Sequence, residues 1–580
     1  MPTAQRWFLR RRRPPKDFLS RFPELDPVLA RVLYARKIDT PAKVYAFLAG
    51  KGELANPFSM AGMNQAVARL RQALRRGEHI VVYGDFDVDG ISATALLVSA
   101  LRLMGAHVSP YIPDRFTESY GLNKEALKRL RQEGAQVVVT VDCGIRSVEE
   151  VRYARSLGLE MIITDHHTVP EELPPALAVI DPKRPDCPYP FKELSGVGVA
   201  YRLAEALFRV QSRMGDLKGE EAAPAQFEDL VALGTVADIV PLVGENRLLA
   251  IRGLRKLREN PRVGLYALMK VAGLDPEQVD SRAISFRLGP RLNAAGRLEH
   301  AKLAYSLLMT SSPKEAEHLA AELQRVNQQR QALLERQVEE ARALLGEEGD
   351  RLVLIVDGPN FHEGVVGLVA SRLAEEFYRP ALVMHRGEEM TRGSARSIEG
   401  FHITHALDAC ADLLLRYGGH AQAAGFTLPT SSLRAFRERL ENYCEENLDE
   451  ETLLRRYSVD AIVSLEELHL ATPAALAQME PFGAGNPEPL LAALALRLVR
   501  VRAVGQEGAH LQLQFADGQR VVKGIAFRQG ELAGELRPGE LVDVLFRPAV
   551  DEWNGQKRLQ LYVEAIRKAK IEKEENGDGE

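Results

Sequence analysis

From residue 79 to residue 182 the hydrophobic positions gather into four short β-branched runs, HIVVYGD, QVVVTVDCG, EMIITDHH and ALAVIDP, each with an aspartate at or near its end. Helical patterns such as ISATALLVSALRLMG and NKEALKRLRQEG separate several of them. Continuous apolar runs alternating with helices predict buried parallel strands in a βαβ sheet. Ligands bind such sheets outside the carboxyl ends of the strands, which is where the aspartates fall. Upstream, PELDPVLARVLYARKI and TPAKVYAFLA repeat their apolar residues at helical spacing, so residues 1–70 read as a helical segment. Helical patterns fill 199–275. The stretch SSPKEAEHLAAELQRVNQQRQALLERQVEEARALLG reads as one helix, with Ser312 as N-cap, Pro313 in the first turn and Glu315 closing a capping box. At 1.5 Å per residue it spans about 50 Å, the length of a strut between domains. A second α/β unit starts at RLVLIVDG. Beyond 457, strict alternation in HLQLQF and turn pairs at Asp517-Gly518 and Asn554-Gly555 predict hairpins of a small antiparallel barrel. The division expected is 1–70 helical, 71–311 α/β, 312–346 connecting helix, 347–456 second α/β, 457–570 barrel and 571–580 charged tail.

Composition narrows the function classes. The chain has 580 residues, 46% of them hydrophobic, which excludes disorder as a whole. A net charge of −5 excludes a histone-like polycation, though a local groove can be basic on an acidic protein. Four cysteines, Cys143, Cys187, Cys410 and Cys444, lie far apart with no C-x-x-C, so a cysteine zinc site or disulfide framework is not expected, and a reduced cytoplasm suits them. The basic run Arg10–Arg13 has no apolar stretch after it, so no signal peptide is expected, nor any membrane helix. That run reads as a solvated arm or as a contact to phosphate.

The candidate chemistry is acidic. Asp85, Asp87 and Asp89 alternate after a buried strand, and on an extended segment they share one side. Unpaired, they would repel one another at a cost of several kcal/mol, so a cation is expected; hard carboxylate oxygens suit Mg²⁺ or Mn²⁺. A calcium EF-hand is excluded because its twelfth position, counted from Asp85, is Leu96. Asp142 ends the next strand, as a ligand or as a helix cap. Asp165-His166-His167 ends another, and Asp238 is an acid inside the apolar stretch GTVADIVPL. This set suits two divalent ions sharing a carboxylate and activating water, with Mn²⁺ or Mg²⁺ favoured over zinc, acting on a phosphoester. Supporting groups are Arg115 and Tyr120 in RFTESYGLN, Arg291 and Arg297 in RLNAAGR, Ser394 and Arg396 in GSAR, and a glycine- and alanine-rich turn holding His420.

YGDFDVDG, VDCG, TDHH and GTVADIVPL resemble, in order, the four motifs of the DHH phosphoesterases, and GGHAQAAGF resembles the signature of the DHH-associated domain. With RLNAAGR, the long helix and PFGAGNPEP before a barrel, the chain is similar to one branch, the bacterial single-strand-specific 5′→3′ DNA exonucleases of recombination and repair. The resemblance implies a DHH parallel-sheet domain and a DHH-associated α/β domain joined by the long helix, plus an OB-like barrel. It implies that Asp87 and Asp142 hold a first Mn²⁺ or Mg²⁺, with Asp85 or Tyr83 nearby. Asp89, Asp142, His166 and Asp238 would hold a second, with Asp142 bridging. It implies that His167 serves the scissile phosphate, that Arg115, Ser394 and Arg396 bind a 5′-terminal phosphate, that Tyr120 stacks on a base and that His420 faces the substrate. Single-stranded DNA is the implied substrate, with a single-strand-binding protein and a helicase as partners. Three positions depart from the family: Tyr83 stands where some members have His, Phe86 replaces a frequent Tyr, and Asp181 stands where Asn is expected. Two other readings fit the same motifs. One is a phosphodiesterase for short RNA or cyclic dinucleotides, which needs no barrel. The other is a non-catalytic single-strand-binding scaffold, which would not need a complete ligand set.

Overall fold

The structure, a computed structural model, describes residues 5–10, 14–118, 121–215, 223–346 and 351–569; Tyr120, Arg11–Arg13 and the charged tail lie outside them. The chain divides into two compact units, one holding residues 52–454 and 481–486, the other 2–51, 455–480 and 487–580.

Strand β1 (Gln5–Leu9) belongs to the smaller unit. In the larger one, β2 (Ile80–Tyr83), β3 (Val108–Tyr111), β4 (Val137–Val141), β5 (Glu160–Thr164) and β6 (Ala178–Ile180) form an all-parallel sheet in the order β3-β2-β4-β5-β6. One face packs Ile80, Val82, Val137 and Val139 on the helix Val88–Leu103, and the other packs Val81, Val138 and Ile163 on Leu127, Leu130 and Val151. Burial on both faces explains why β2 and β4 are apolar throughout. Strand β3 was not expected. It is a half-exposed edge strand of sequence VSPY, and an edge tolerates Pro110 and needs no apolar run.

The helix Pro313–Leu345 forms as expected. Ser312 Oγ accepts from the Glu315 amide, but the Glu315 carboxylate turns to the Thr310 hydroxyl, so only half of the capping box is made. Its first half buries Ala316, Ala320 and Leu323 in the core beside the parallel sheet. Its last turns bury Val338, Ala341 and Leu345 under the second sheet. One rigid element therefore supplies core to both α/β parts. The second sheet comprises β7 (Leu354–Gly358), β8 (Ala381–Arg386), β9 (Met390–Arg396), β10 (Arg416–His420) and β11 (Ala423–Pro429) in the order β10-β11-β9-β8-β7, with only β7 and β8 parallel. The segment expected as a glycine-rich turn is thus a hairpin: Gly418 and Gly419 lie in β10 and Gly425 in β11, and only two residues turn.

In the smaller unit β1 pairs in parallel with β12 (Arg455–Val459), and β13 (Ala461–Ile462) adds to the edge of β14 (Leu491–Val504). Strands β14, β15 (His510–Asp517), β16 (Arg520–Ala526), β18 (Gln556–Lys568) and β17 (Leu541–Trp553) close into a five-stranded barrel, since β17 also pairs with β14. Positive φ at Gly518 (58°), Asn554 (50°) and Gly555 (74°) makes the two tight turns read from the sequence. The N-terminal segment is not one helical piece. Residues 2–51, including β1 and the helices Pro27–Ala35 and Pro41–Leu48, group with the barrel, whereas Met63–Arg76 packs in the larger unit. One tie within the smaller unit is Asp460, its side chain 1% exposed, which takes Arg36 through both carboxylate oxygens at 2.9 Å and Arg10 at 3.3 Å. No described helix is long and apolar enough to cross a membrane.

Candidate active site

The aspartates meet because the strands of a parallel sheet end on one side. After β2 the chain turns through Gly84-Asp85-Phe86 into the helix Val88–Leu103. Asp87 is its N-cap, accepting from the Gly90 amide at 3.1 Å, and Asp89 stands in its first turn. The three carboxylates therefore converge through a strand-to-helix turn, not along an extended segment. Asp89 is fully buried and accepts from the amides of Gly196 (2.7 Å) and Val197 (2.9 Å), the start of the helix Gly196–Met214, where the positive end of the helix dipole favours an anion. Asp142 follows β4 in the left-handed region, φ 61°, an uncommon conformation for a residue with a side chain. It presses its carboxylate on Gly196, where an added Cβ would lie 2.5 Å from Oδ1. His166 follows β5, and Asp238 caps the end of the helix Glu228–Ala237. His166 Nε2 lies 3.0 Å from Asp142, 3.6 Å from Asp238 and 3.9 Å from Asp89. Three triads have ligand atoms within 4.8 Å of one another: Asp85–Asp87–Asp142, Asp89–His166–Asp238 and Asp142–His166–His167.

The electrostatics of this cluster are those of a site built around cations. Burial, and then the neighbouring carboxylates, push Asp85, Asp142 and Asp238 well above the ordinary carboxylate range. Burial pushes the His166 imidazole down to about 3, so it is neutral and able to ligate. Asp85 Oδ1 and both ring nitrogens of His166 are buried with no hydrogen-bond partner among the described residues. Carboxylate oxygens with one imidazole are a donor set for Mn²⁺ or Mg²⁺. Tyr83 stays out of it: its ring packs 4.8 Å from Tyr111, and its hydroxyl donates to the Gly121 carbonyl at 3.2 Å. Of the two residues expected beside the first ion, Asp85 is the one whose carboxylate lies with Asp87 and Asp142.

His167 has a different environment. Its Nδ1 lies 2.7 Å from Asp165 Oδ1. Burial works against its charged form, but the hydrogen bond and charge of Asp165 outweigh burial and lift the imidazole to about 9. Asp165 is held in place by the amides of Ile145 (2.9 Å), His166 (2.7 Å) and His167 (3.2 Å). The His167 ring stacks toward His420 of β10, centroids 6.1 Å apart and planes at 10°.

His167 and His420 open on a cavity of about 1300 Å³ whose wall also carries Arg115, Arg297, Ser394 and Arg396. Arg396 donates to Ser371 Oγ (3.0 Å) and Ser394 Oγ (2.8 Å), Arg115 lies 4.9 Å over the Phe86 ring, and Arg297 reaches the Gly364 carbonyl at 3.3 Å. Burial, and then crowding by the other guanidiniums, lowers the pKa of Arg297 to about 9 and pulls Arg396 down as well; burial alone lowers Arg115, against the nearby charges of Asp85, Asp87 and Glu363. Guanidiniums thus stand beside crowded carboxylates at one cavity, an arrangement that suits a phosphate held between arginines and divalent ions.

Family models match along the chain: the DHH family N-terminal domain over residues 79–235, the DHHA1 domain over 350–446 and the RecJ OB domain over 459–565. The single-stranded-DNA-specific exonuclease RecJ of Bacillus subtilis (strain 168) is 38% identical over 570 residues, 97% of this chain and 71% of the relative. This chain belongs to the RecJ family. RecJ of Escherichia coli (strain K12) is 36% identical over 94% of this chain and 96% of its own length. The crystal structure of RecJ in complex with Mn²⁺ from Thermus thermophilus matches with a TM-score of 0.84 at 33% identity, covering 98% of this chain and 80% of that one. The DHH and DHH-associated domains and the barrel expected from the sequence are the architecture of this RecJ-family chain.

Not every expected site residue lines the cavity. Arg291 is taken up by Gln324 (2.7 Å) and the Arg287 carbonyl (2.6 Å), and Tyr120 lies outside the described residues. Four residues at the site were not singled out from the sequence. Asp165 was seen only as the end of a strand; an acid beside two imidazoles was the available signal. Asn293 of RLNAAGR accepts from the Val88 amide at 3.1 Å, and Gly296 lets the same helix approach so closely that a Cβ there would lie 2.6 Å from the Phe86 carbonyl oxygen. That motif braces the acidic loop as well as carrying Arg297. Ser371 holds Arg396. Asp181, one of the departures, is fully buried at the end of β6, where Oδ1 accepts from the Lys183 amide at 2.7 Å; burial raises its carboxyl to about 7.

Proposed function

We propose that this RecJ-family chain is a metal-dependent 5′→3′ exonuclease that degrades single-stranded DNA to 5′-mononucleotides in recombination and repair. The observation that carries the reading is the juxtaposition at one cavity: an acidic cluster suited to two divalent cations adjoins a half-buried arginine pocket suited to a terminal phosphate. Asp85, Asp87 and Asp142 would hold one Mn²⁺ or Mg²⁺, and Asp89, Asp142, His166 and Asp238 the other. Bound there, the ions would polarise the phosphoryl oxygens and bring the pKa of a water toward neutrality. His167, its Nδ1 engaged by Asp165, offers Nε2 to a phosphate oxygen and carries the proton there. Arg115, Ser394 and Arg396, with Arg297 behind them, would hold the 5′-phosphate by charge-assisted hydrogen bonds. His420 would face the backbone from β10. The barrel would hold the trailing strand, as OB folds do. The setting is the bacterial cytoplasm at the nucleoid, with a single-strand-binding protein and a helicase supplying and clearing the strand. The test is digestion of 5′-labelled single strands and duplexes with and without Mn²⁺. Labelled mononucleotide should appear first, only from the single strand and only with metal. Release from the 3′ end, or equal attack on blunt duplex, would refute it.

A further inference from the structure

Arg396 is steered by two serine hydroxyls and Arg297 by a carbonyl, but among the described residues no hydrogen bond holds the Arg115 guanidinium. It lies 4.9 Å over the Phe86 ring, between Asp85 and Asp87 in sequence. Its aim therefore depends on the backbone that carries it, between β3 and the helix Lys124–Gln132.

That backbone is closed on itself. Asp114 Oδ1 accepts from the amides of Phe116 (3.0 Å) and Thr117 (2.9 Å) and from the Thr117 hydroxyl (3.0 Å). The Glu118 amide donates to the Asp114 carbonyl at 2.9 Å, and the Asp114 amide donates to Glu118 Oε2 at 2.9 Å. The other oxygen of Glu118 accepts from the Tyr111 hydroxyl at 2.6 Å, at the end of β3, and from Arg129 at 3.1 Å, on the following helix. Burial opposes the charge of Glu118, but these donors outweigh it and hold the carboxyl below its ordinary value. Beside Arg115, the Phe116 ring stands edge-on to His362 of the second α/β part, 5.9 Å away.

A second anchor comes from β2. The fully buried Tyr83 packs on Tyr111 and donates its hydroxyl to the Gly121 carbonyl at 3.2 Å. Tyr83 stands two residues before Asp85, so the end of one strand carries both the first acid of the cluster and an anchor for the segment that bears Arg115. The departure from histidine at this position thus exchanges a candidate ligand for a tether.

We propose that Glu118 and Tyr83 are positioning residues for Arg115: they fix the turn Asp114–Glu118 so that the guanidinium is aimed before a strand arrives, and this sets the preference for 5′-phosphorylated ends. A side chain already held in place does not lose its freedom on binding. The proposal rests on the reading of Arg115 as part of the 5′-phosphate pocket.

The test measures, in Ca²⁺, the ratio of affinities for 5′-phosphorylated and 5′-hydroxyl 12-mers. Glu118→Ala should lower that ratio roughly two- to tenfold, the range for having to order one long side chain on binding. Binding of 5′-hydroxyl strands and calorimetric Mn²⁺ affinity should barely change. Glu118→Gln, which keeps one acceptor, should fall between Glu118→Ala and wild type. In an Arg115→Ala background Glu118→Ala should lower the ratio no further. Tyr83→Phe removes one hydroxyl and keeps the ring, and should show the same non-additivity if Glu118→Ala folds poorly. Equal losses for both ends, or a further fall without Arg115, would overturn the positioning role. An unchanged ratio in Arg115→Ala itself would overturn the pocket reading, and the positioning role with it.

Discussion

Asp165→Asn tests how the charge on His167 is maintained. In the metal-free protein the rise of the His167 imidazole from 6.5 to about 9 corresponds to about 3.4 kcal/mol at about 1.36 kcal/mol per pH unit. From the other side of the pair, the fall of the Asp165 carboxyl from 3.8 to about 2 corresponds to about 2.4 kcal/mol. The Asp165 value also contains its backbone donors and complete burial, and the His167 value its own burial and the charges of Asp238 and Asp85, so the two figures bracket the pair. The raised histidine contributes stability that is fully present below 6.5 and is lost as the pH rises through about 9. The lowered aspartate contributes stability present above 3.8 and lost as the pH falls through about 2. The pair is therefore fully effective between about pH 4 and 6.5. Asparagine can accept the same hydrogen bond but holds no charge, so burial then dominates and His167 should titrate at or below 6.5. The assay is an NMR titration of carbon-13-labelled imidazoles in chelator, alongside pH-dependent thermal unfolding. Wild type should exceed the variant by about 3 kcal/mol near pH 6, a margin that shrinks by pH 9. If His167 still titrates near 9 in Asp165→Asn, the carboxylate is not what holds the proton.

Asp142→Asn removes the carboxylate proposed to serve both metal sites and should lower turnover by more than the roughly 10²–10³-fold typical of one lost preorganised contact; single-turnover digestion with Mn²⁺ checks it, and near-normal rates would contradict the shared-ligand assignment. Arg396→Ala should weaken binding of 5′-phosphorylated single strands about ten- to a hundredfold and of 5′-hydroxyl strands much less, read by competition in Ca²⁺; equal losses would make it a general groove cation. Asp460→Ala leaves Arg36 buried without its bidentate partner and should destabilise the smaller unit by about 3–5 kcal/mol. Both tryptophans, Trp7 and Trp553, belong to that unit, so tryptophan fluorescence during denaturation of the full chain reports it directly.

The sequence by itself determined the elements whose signal is local. β2, β4, β5 and β6 are legible because burial on both faces demands unbroken apolar runs, and their aspartates fall on one side because all four strands run in parallel. Ser312 and Pro313 mark a helix start, and Asn554-Gly555 a hairpin, through backbone preferences that need no distant partner. What the tertiary structure decided involves residues far apart in the chain, which leave no periodic trace. β3 is an edge strand that needs no apolar run. β1 pairs with β12, Gln5 against Arg455, which moves the N-terminal segment to the barrel. The candidate metal triads draw on four separate motifs, and only folding shows Asp89 on a helix, its charge met by the amides of Gly196 and Val197. Asp165 looks like one more strand-end acid in the sequence. The fold gives it His167 as partner and three amides as supports, which makes it the residue that holds the charge of another.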